Sequence, residues 1–280
     1  MFDRKQYHGP VKSIGRALTV AADVWRSIDG TAPVRLSYAS FNLARSPQFR
    51  ATLVNPMTNP HAAKMDAMYR RQRYIYDLSR KYFLFGRDRL LARLPVRPAA
   101  RVLEIGCGTA RNLVILAGRH PQAQFYGLDI SNEMLRSARA NIRRRRLENV
   151  TVALAAAEAP DHHRLFGLEA PFDVAFFSYS LSMIPDWQAA LATALASVRP
   201  GGCLAVVDFW DQKELPVWFE KVLTAWVRRF DVTPRPEILD ALAARRDRGE
   251  GKLTVESVGG RYAFIALFET AVPGAAGAVS

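Results

Sequence analysis

Two acids and two glycines occupy positions in this sequence where they could bind a ligand. Glu104, Gly106 and Gly108 lie in the run VLEIGCGT, Val102–Thr109, and Asp129 closes the apolar run FYGLD that precedes Ile130 and Ser131. The first run reads as a short buried strand that turns on glycine into a helix, and glycine lets the backbone approach a ligand where a Cβ would collide. The second reads as the next strand of a doubly wound sheet, in which ligands lie outside the carboxyl ends of the strands. An acid at that end accepts hydrogen bonds from ribose hydroxyls, so the ligand implied is a nucleoside.

A glycine turn alone also serves dinucleotides. Here Arg111 stands where the third glycine of G-x-G-x-x-G would let a helix pack close beneath a pyrophosphate, and Glu104 would repel that pyrophosphate. Glu104 suits the α-ammonium of S-adenosylmethionine instead. At these residues the chain resembles the class I S-adenosylmethionine-dependent methyltransferases. The likeness continues through Ala157-Glu158-Ala159 after a third strand (Val150 to Ala155), FDVAFFS at 172–178 and RPGGCLAVVD at 199–208. Ala110, where many members have a glycine, and Glu158, where Asp is commoner, are departures that remove no needed functional group. The resemblance implies an α/β fold with a Rossmann-like seven-stranded sheet, an N-terminal helical extension and a lid. It also implies that Glu104, Gly106 and Gly108 line the methionine end of the cofactor. Asp129 would take both ribose hydroxyls, and Met134 would pack on the adenine. Ile130, Glu158 and Ser178 would complete that site.

The elements that must position these groups fit one large domain with an appendage. A chain of 280 residues is long enough to bury a full core. The two cysteines, Cys107 and Cys203, sit at inner strand ends, which suits reduced thiols in a cytoplasmic protein. The five histidines make no metal pattern, and His162-His163 reads as a solvated turn. Neither a signal peptide nor an apolar run of about 18 residues is present, so no bilayer span is expected. Net charge is +13, which favours polyanions, either an anionic membrane surface or nucleic acid. Arg143-Arg144-Arg145-Arg146 reads equally as such a contact or as a solvated helix end.

Residues 1–60 read as an extension with a basic amphipathic helix from Val11 to Ser27, set off by NPMTNP at 55–60. Residues 61–270 hold the catalytic domain. Within it, 64–94 are helical by periodicity and rich in tyrosine, with Gly86 as a stop before a second short helix through Leu94. Leu215 to Phe230 carries Trp218, Val222, Trp226 and Phe230 at every fourth position, a stripe that suits either core or an apolar wall. Leu253–Val258 and Tyr262–Phe268 read as a hairpin around Gly259-Gly260. Residues 271–280 read as an unpatterned tail, disordered in expectation.

The more specific likeness lies outside the cofactor motifs. The runs MYRRQRYIYDLSRKYFLFGRDRL, LEIGCGTARNL, FYGLDISNEMLRSARA, SYSLSMIPDW and VVDFWDQKELPVWF together resemble the bacterial BtaB-type enzymes. These are diacylglycerylhomoserine N-methyltransferases, which complete the betaine lipid diacylglyceryl-N,N,N-trimethylhomoserine. The resemblance implies three successive methylations of a lipid amine. It implies a lid at Tyr76-Asp77-Leu78-Ser79, with the Tyr76 hydroxyl on the cofactor carboxylate. Tyr76, Tyr82 and Tyr179 are the candidates for an aromatic wall facing the developing quaternary ammonium. Trp218 belongs to the lipid wall, and Arg73, Arg87 and Arg261 are candidates for holding the homoserine carboxylate. No metal is implied. Partners would be the lipid at an anionic membrane surface, the enzyme that makes diacylglycerylhomoserine and, as an open alternative, a second copy of the chain. That places the protein in the cytoplasm, peripheral to the inner face of the membrane. Alternatives are an amine methyltransferase for phosphatidylethanolamine or an ornithine lipid, a quinone-type C-methyltransferase, a methyltransferase-like RNA-binding protein and a scaffold subunit. Against RNA, Ser178-Tyr179-Ser180-Leu181 stands where many nucleic-acid amino-methyltransferases carry an Asn/Asp-Pro-Pro-aromatic motif.

Overall fold

The computed structural model describes residues 84–215 and 233–273. The extension 1–60, the lid residues Arg73, Tyr76 and Tyr82, the wall residue Trp218 and the tail from 274 lie outside them. The described chain runs α1 (Arg87–Arg93), β1 (Arg101–Ile105), α2 (Arg111–Arg119), β2 (Gln124–Asp129), α3 (Asn132–Arg144), β3 (Val150–Leu154) and β4 (Phe172–Ser178). It continues through α4 (Trp187–Ala196), β5 (Val198–Phe209), α5 (Glu237–Asp247), β6 (Gly251–Val258) and β7 (Ala263–Thr270). Two short 3₁₀ turns, Arg164–Phe166 and Leu181–Met183, flank β4.

The strands form one sheet in the order β3-β2-β1-β4-β5-β7-β6. β1 to β5 are parallel, and β7 inserts antiparallel between β5 and β6. Side-chain alternation divides the core. Val102, Val174, Phe176, Ala205 and Val207 pack on one face under α1, α2 and α3 through Leu90, Leu113, Leu116, Leu135 and Ala138. Leu103, Ile105, Ala175, Phe177, Leu204 and Val206 pack on the other under α4 and α5 through Trp187, Leu191, Ile238 and Leu242. Burial on both faces explains why the central strands read as nearly continuous apolar runs.

The short helix expected after Gly86 forms, while the helix expected before it lies outside the described residues. Gly86 is left-handed (φ 83) and caps α1, which ends at Leu94. The hairpin also forms, two residues longer at each outer end than its apolar pattern suggests. His162 corrects the expected solvated turn. It is fully buried, with Nδ1 3.2 Å from Ser197 Oγ, and burial pushes its imidazole down to about 4. The polar pair sits where the chain after β3 passes under the start of β5, a contact invisible to local composition.

The carboxyl ends of β1 to β5 form one rim. α3 starts at that rim beside β2 and ends at the amino end of β3. It therefore carries the exposed Arg143, Arg144, Arg145 and Arg146 to the opposite end of the sheet.

Candidate active site

The glycine turn is built inward. Gly106 N and Cys107 N both donate to Leu128 O at 2.9 Å, and Gly108 N donates to Asp129 Oδ2 at 2.8 Å. Pyrophosphate sites instead aim such N–H groups at the ligand. With these three spent on β2, the turn fits a ligand without phosphate. Gly106 is left-handed (φ 75), and a Cβ there would stand 2.5 Å from Ser180 Cβ. Its smallness thus makes room for the loop after β4 as well as for a ligand. Ser180 is held by its hydroxyl, which donates to Ile105 O at 2.7 Å. Ala110, the non-glycine departure, still adopts the left-handed conformation (φ 60) that caps α2.

Glu104 is buried in β1, and its Oε1 accepts from Asn112 Nδ2 at 2.6 Å. Sequence reasoning missed Asn112. Its signal was a polar residue on the apolar face of α2, beside Leu113 and Leu116, where burial requires a partner. Asp129 is half-buried at the end of β2. Its Oδ1 takes Ser131 N at 2.9 Å while Oδ2 takes Gly108 N, so both oxygens are oriented before any ligand arrives. Ser131 caps α3 through Met134 N at 3.3 Å, which fixes the buried Met134 one helical turn from Asp129. Ile130 and Glu158 are half-buried beside the ends of β2 and β3, and Ser178 is buried at the end of β4. The rim thus gathers every described residue expected to bind the cofactor.

The acceptor side differs more from expectation. Tyr179 was expected in an aromatic wall, but its left-handed backbone (φ 55) turns the ring into the core. There it meets Phe209 edge-on at 4.8 Å, and its hydroxyl donates to Phe85 O. Burial is the main reason its phenol lies well above the ordinary range, with Tyr262 and Asp208 adding to it and Arg87 opposing. Arg261 was a candidate for a substrate carboxylate. It is already engaged, donating from Nε to Asp211 Oδ1 at 2.6 Å and from its second nitrogen to Oδ2, and its guanidinium lies 4.0 Å over the Trp210 ring. The hydrogen bond and charge of Arg261 hold the Asp211 carboxyl below its usual range. Arg87 is buried at the start of α1, and its charge opposes the rise of the Tyr179 phenol.

A further acid, Asp208, is fully buried near the end of β5. Its Oδ2 accepts Ser182 N at 3.0 Å and its Oδ1 accepts Phe209 N at 2.8 Å. Burial pushes its carboxyl up to about 6 against these hydrogen bonds. Among the described residues no cluster of His, Cys, Asp and Glu could hold a metal, and no helix is long and apolar enough to cross a membrane.

This arrangement supplies an oriented acid for an ammonium at Glu104, another for a diol at Asp129, and an apolar helix face for a flat ring at Met134. The residues fit S-adenosylmethionine, with Glu104 at the methionine end and Asp129 at the ribose. That cofactor, when bound, supplies a methyl group on a sulfonium, ready for displacement.

Comparison with known proteins agrees. The chain is 35% identical over 127 residues to trans-aconitate 2-methyltransferase of Variovorax paradoxus, a match covering 45% of each chain. It is 26% identical over 181 residues to demethylmenaquinone methyltransferase of Listeria welshimeri, covering 61% of this chain and 72% of that one. It therefore spans less than half the length of the trans-aconitate relatives it matches. Among solved structures, mitomycin 7-O-methyltransferase MmcR is similar over 75% of this chain and 60% of that one, with TM-score 0.57 and 14% identity. The apo S-adenosylmethionine-dependent methyltransferase SibL is similar over 95% of this chain and 71% of that one, with TM-score 0.51 and 20% identity. At such identities both show the fold alone. A family model described as a methyltransferase domain matches residues 97–240, more than half of the chain, so the chain belongs to that family and its cofactor is S-adenosylmethionine.

Proposed function

We propose that this chain transfers methyl groups to the amine of diacylglycerylhomoserine, three times in sequence, giving diacylglyceryl-N,N,N-trimethylhomoserine. In each round the nitrogen lone pair forms the N–CH₃ bond as the S–CH₃ bond breaks. S-adenosylhomocysteine leaves, and the first two products shed one proton before the next round. In-line positioning supplies most of the rate in such a displacement. One observation carries the reading. Three stretches of the specific resemblance, far apart in sequence, meet beside the carboxyl ends of β4 and β5. Phe85, from the end of the tyrosine-rich run, accepts the hydroxyl of Tyr179 from the SYS motif, and Tyr179 packs on Phe209 from the VVDFW run. Next to Phe85, Gly86 packs on the strands β5 and β6, where a Cβ would lie 3.1 Å from Val258 and 3.5 Å from Val207. Arg87, buried at the start of α1 next to Phe85 and Gly86 in sequence, is the described residue we assign to the homoserine carboxylate.

A lipid acceptor requires the protein to dwell at a bilayer, and we assign that contact to residues 1–60 and the stripe 215–230, with the membrane's inner face as its place of work. The test is mass spectrometry of lipids from cells that make this protein together with a source of diacylglycerylhomoserine. Mono-, di- and trimethylated lipid is the expected result. Methylated phosphatidylethanolamine in its place would move the assignment to the rival amine lipid. Purified protein methylating demethylmenaquinone or trans-aconitate, and not the amine lipid, would overturn it in favour of the acceptors named for its relatives.

A further inference from the structure

The loop after β4 is held by four hydrogen bonds. Tyr179 N donates to Val207 O at 2.8 Å, Ser180 Oγ to Ile105 O, and Ser182 N to Asp208 Oδ2. From the far side, Thr233 N donates to Ser182 O at 3.2 Å. The first N–H groups of a helical turn need outside acceptors. Ser180 stands at the N-cap of the Leu181–Met183 turn, but its hydroxyl is spent on Ile105, so it makes no side-chain cap. Asp208 supplies the acceptor from the neighbouring strand. Burying a carboxylate is costly, and a charge-assisted bond to a backbone N–H is among the stronger ones available to offset that cost.

We infer that Asp208 is a positioning residue for the acceptor side of the site. Through Ser182 it fixes the turn that follows the SYS motif, and through Ser182 O that turn fixes Thr233, where the described chain resumes after residue 215. The bond sequence Asp208–Ser182–Thr233 thus sets the acceptor side in register with β5. The cofactor residues Glu104, Asp129 and Met134 lie on β1, β2 and α3 and share none of these bonds. The inference rests on the rim being the methyl-transfer site, and it holds whichever acceptor is methylated there.

The test compares wild type with Asp208→Ala and Asp208→Asn, which keeps an acceptor oxygen for Ser182. Hydrogen exchange is followed by mass spectrometry on peptides covering 178–183 and 101–105, and S-adenosylmethionine affinity by calorimetry. Asp208→Ala should speed exchange in the 178–183 peptide about tenfold or more. It should leave 101–105 protected and cofactor affinity within about twofold, and Asp208→Asn should restore most of the lost protection. With diacylglycerylhomoserine as acceptor, kcat should fall in Asp208→Ala and recover in Asp208→Asn. Unchanged exchange at 178–183, uniformly faster exchange across the sheet, or cofactor affinity lost in both variants would each overturn the inference. If Asp208→Ala does not fold, Asp208→Ser takes its place with the same criteria. A wild-type protein inactive on that lipid defeats the proposed function instead, while the exchange and affinity measurements still decide this inference.

Discussion

Replacing Gly106 with alanine tests why the turn at the heart of the site is glycine. Two costs add. The left-handed backbone (φ 75) is disfavoured for alanine by roughly 1–2 kcal/mol. The new Cβ would lie 2.5 Å from Ser180 Cβ, whereas carbon atoms sit comfortably about 3.5–4.0 Å apart. Ser180 cannot retreat without stretching its bond to Ile105 O, so relief must come from the backbone, and overpacking of this kind costs about 1–3 kcal/mol. Gly106→Ala should therefore lower stability by about 2–5 kcal/mol. In the double variant with Ser180→Gly, the nearest remaining atom is the Cα of residue 180 at 3.9 Å, an ordinary contact. The clash vanishes while the backbone cost stays. Urea unfolding of the four proteins in the cycle should give a coupling of about 1–3 kcal/mol in favour of the double variant. Additive losses, with a coupling below about 0.5 kcal/mol, would refute the claim that Ser180 dictates this glycine. Calorimetry on the same proteins separates the second role. If a Cβ at 106 also intrudes on the cofactor, the double variant regains stability without regaining affinity.

Asp129→Ala removes the acceptor assigned to the ribose hydroxyls, and S-adenosylmethionine affinity should fall by about 1.5–3 kcal/mol, roughly 10- to 150-fold, in calorimetry. His162 is buried with its imidazole at about 4 instead of 6.5, so the fold favours the neutral ring. Its contribution is complete above the ordinary value and is lost as pH falls from 6.5 towards 4. Between pH 7 and pH 5 it should cost about 2 kcal/mol of stability that a His162→Phe variant does not lose, as read from urea midpoints. Asp208 has the opposite sign, because its carboxyl is raised from 3.8 to about 6. Stability should fall by about 1.4 kcal/mol between pH 5 and pH 8, and Asp208→Asn should abolish that slope. Ala110→Gly exchanges relief of a left-handed alanine against a lost buried methyl and a freer unfolded chain, so its stability should stay within about 1 kcal/mol of wild type.

The cofactor half of the site was legible because it is local. Glu104, the turn and Asp129 follow one another along β1 and β2, and strand alternation alone brings them to one rim. Strand periodicity likewise located the terminal hairpin. What escaped the sequence depends on long-range contacts. Asn112 orients Glu104 from a helix face that looked simply apolar. His162 is buried by the start of β5, and Arg261 is claimed by Asp211 across the mouth of the hairpin. Tyr179 looked available because its type suits a cationic acceptor. Its left-handed backbone, which no propensity indicates for tyrosine, sends the ring inward. Asp208 passed unnoticed as the last acid of an apolar strand, although it tethers the neighbouring loop.

The arginines at the end of α3 bear on how such a molecule would meet a charged surface. They stand at the foot of the sheet and the rim at its head, separated by strands of about 20 Å. Among the described residues these four arginines would offer an anionic bilayer a point of attraction at the foot, acting over roughly the Debye length of about 8 Å at physiological salt. A molecule held by them alone would face outward, its rim turned away from the bilayer. On the proposed lipid acceptor, turning over would then have to be driven by apolar contact, which salt does not weaken. Adsorption and turnover on vesicles would consequently part company as ionic strength rises, the first falling while the second holds or gains.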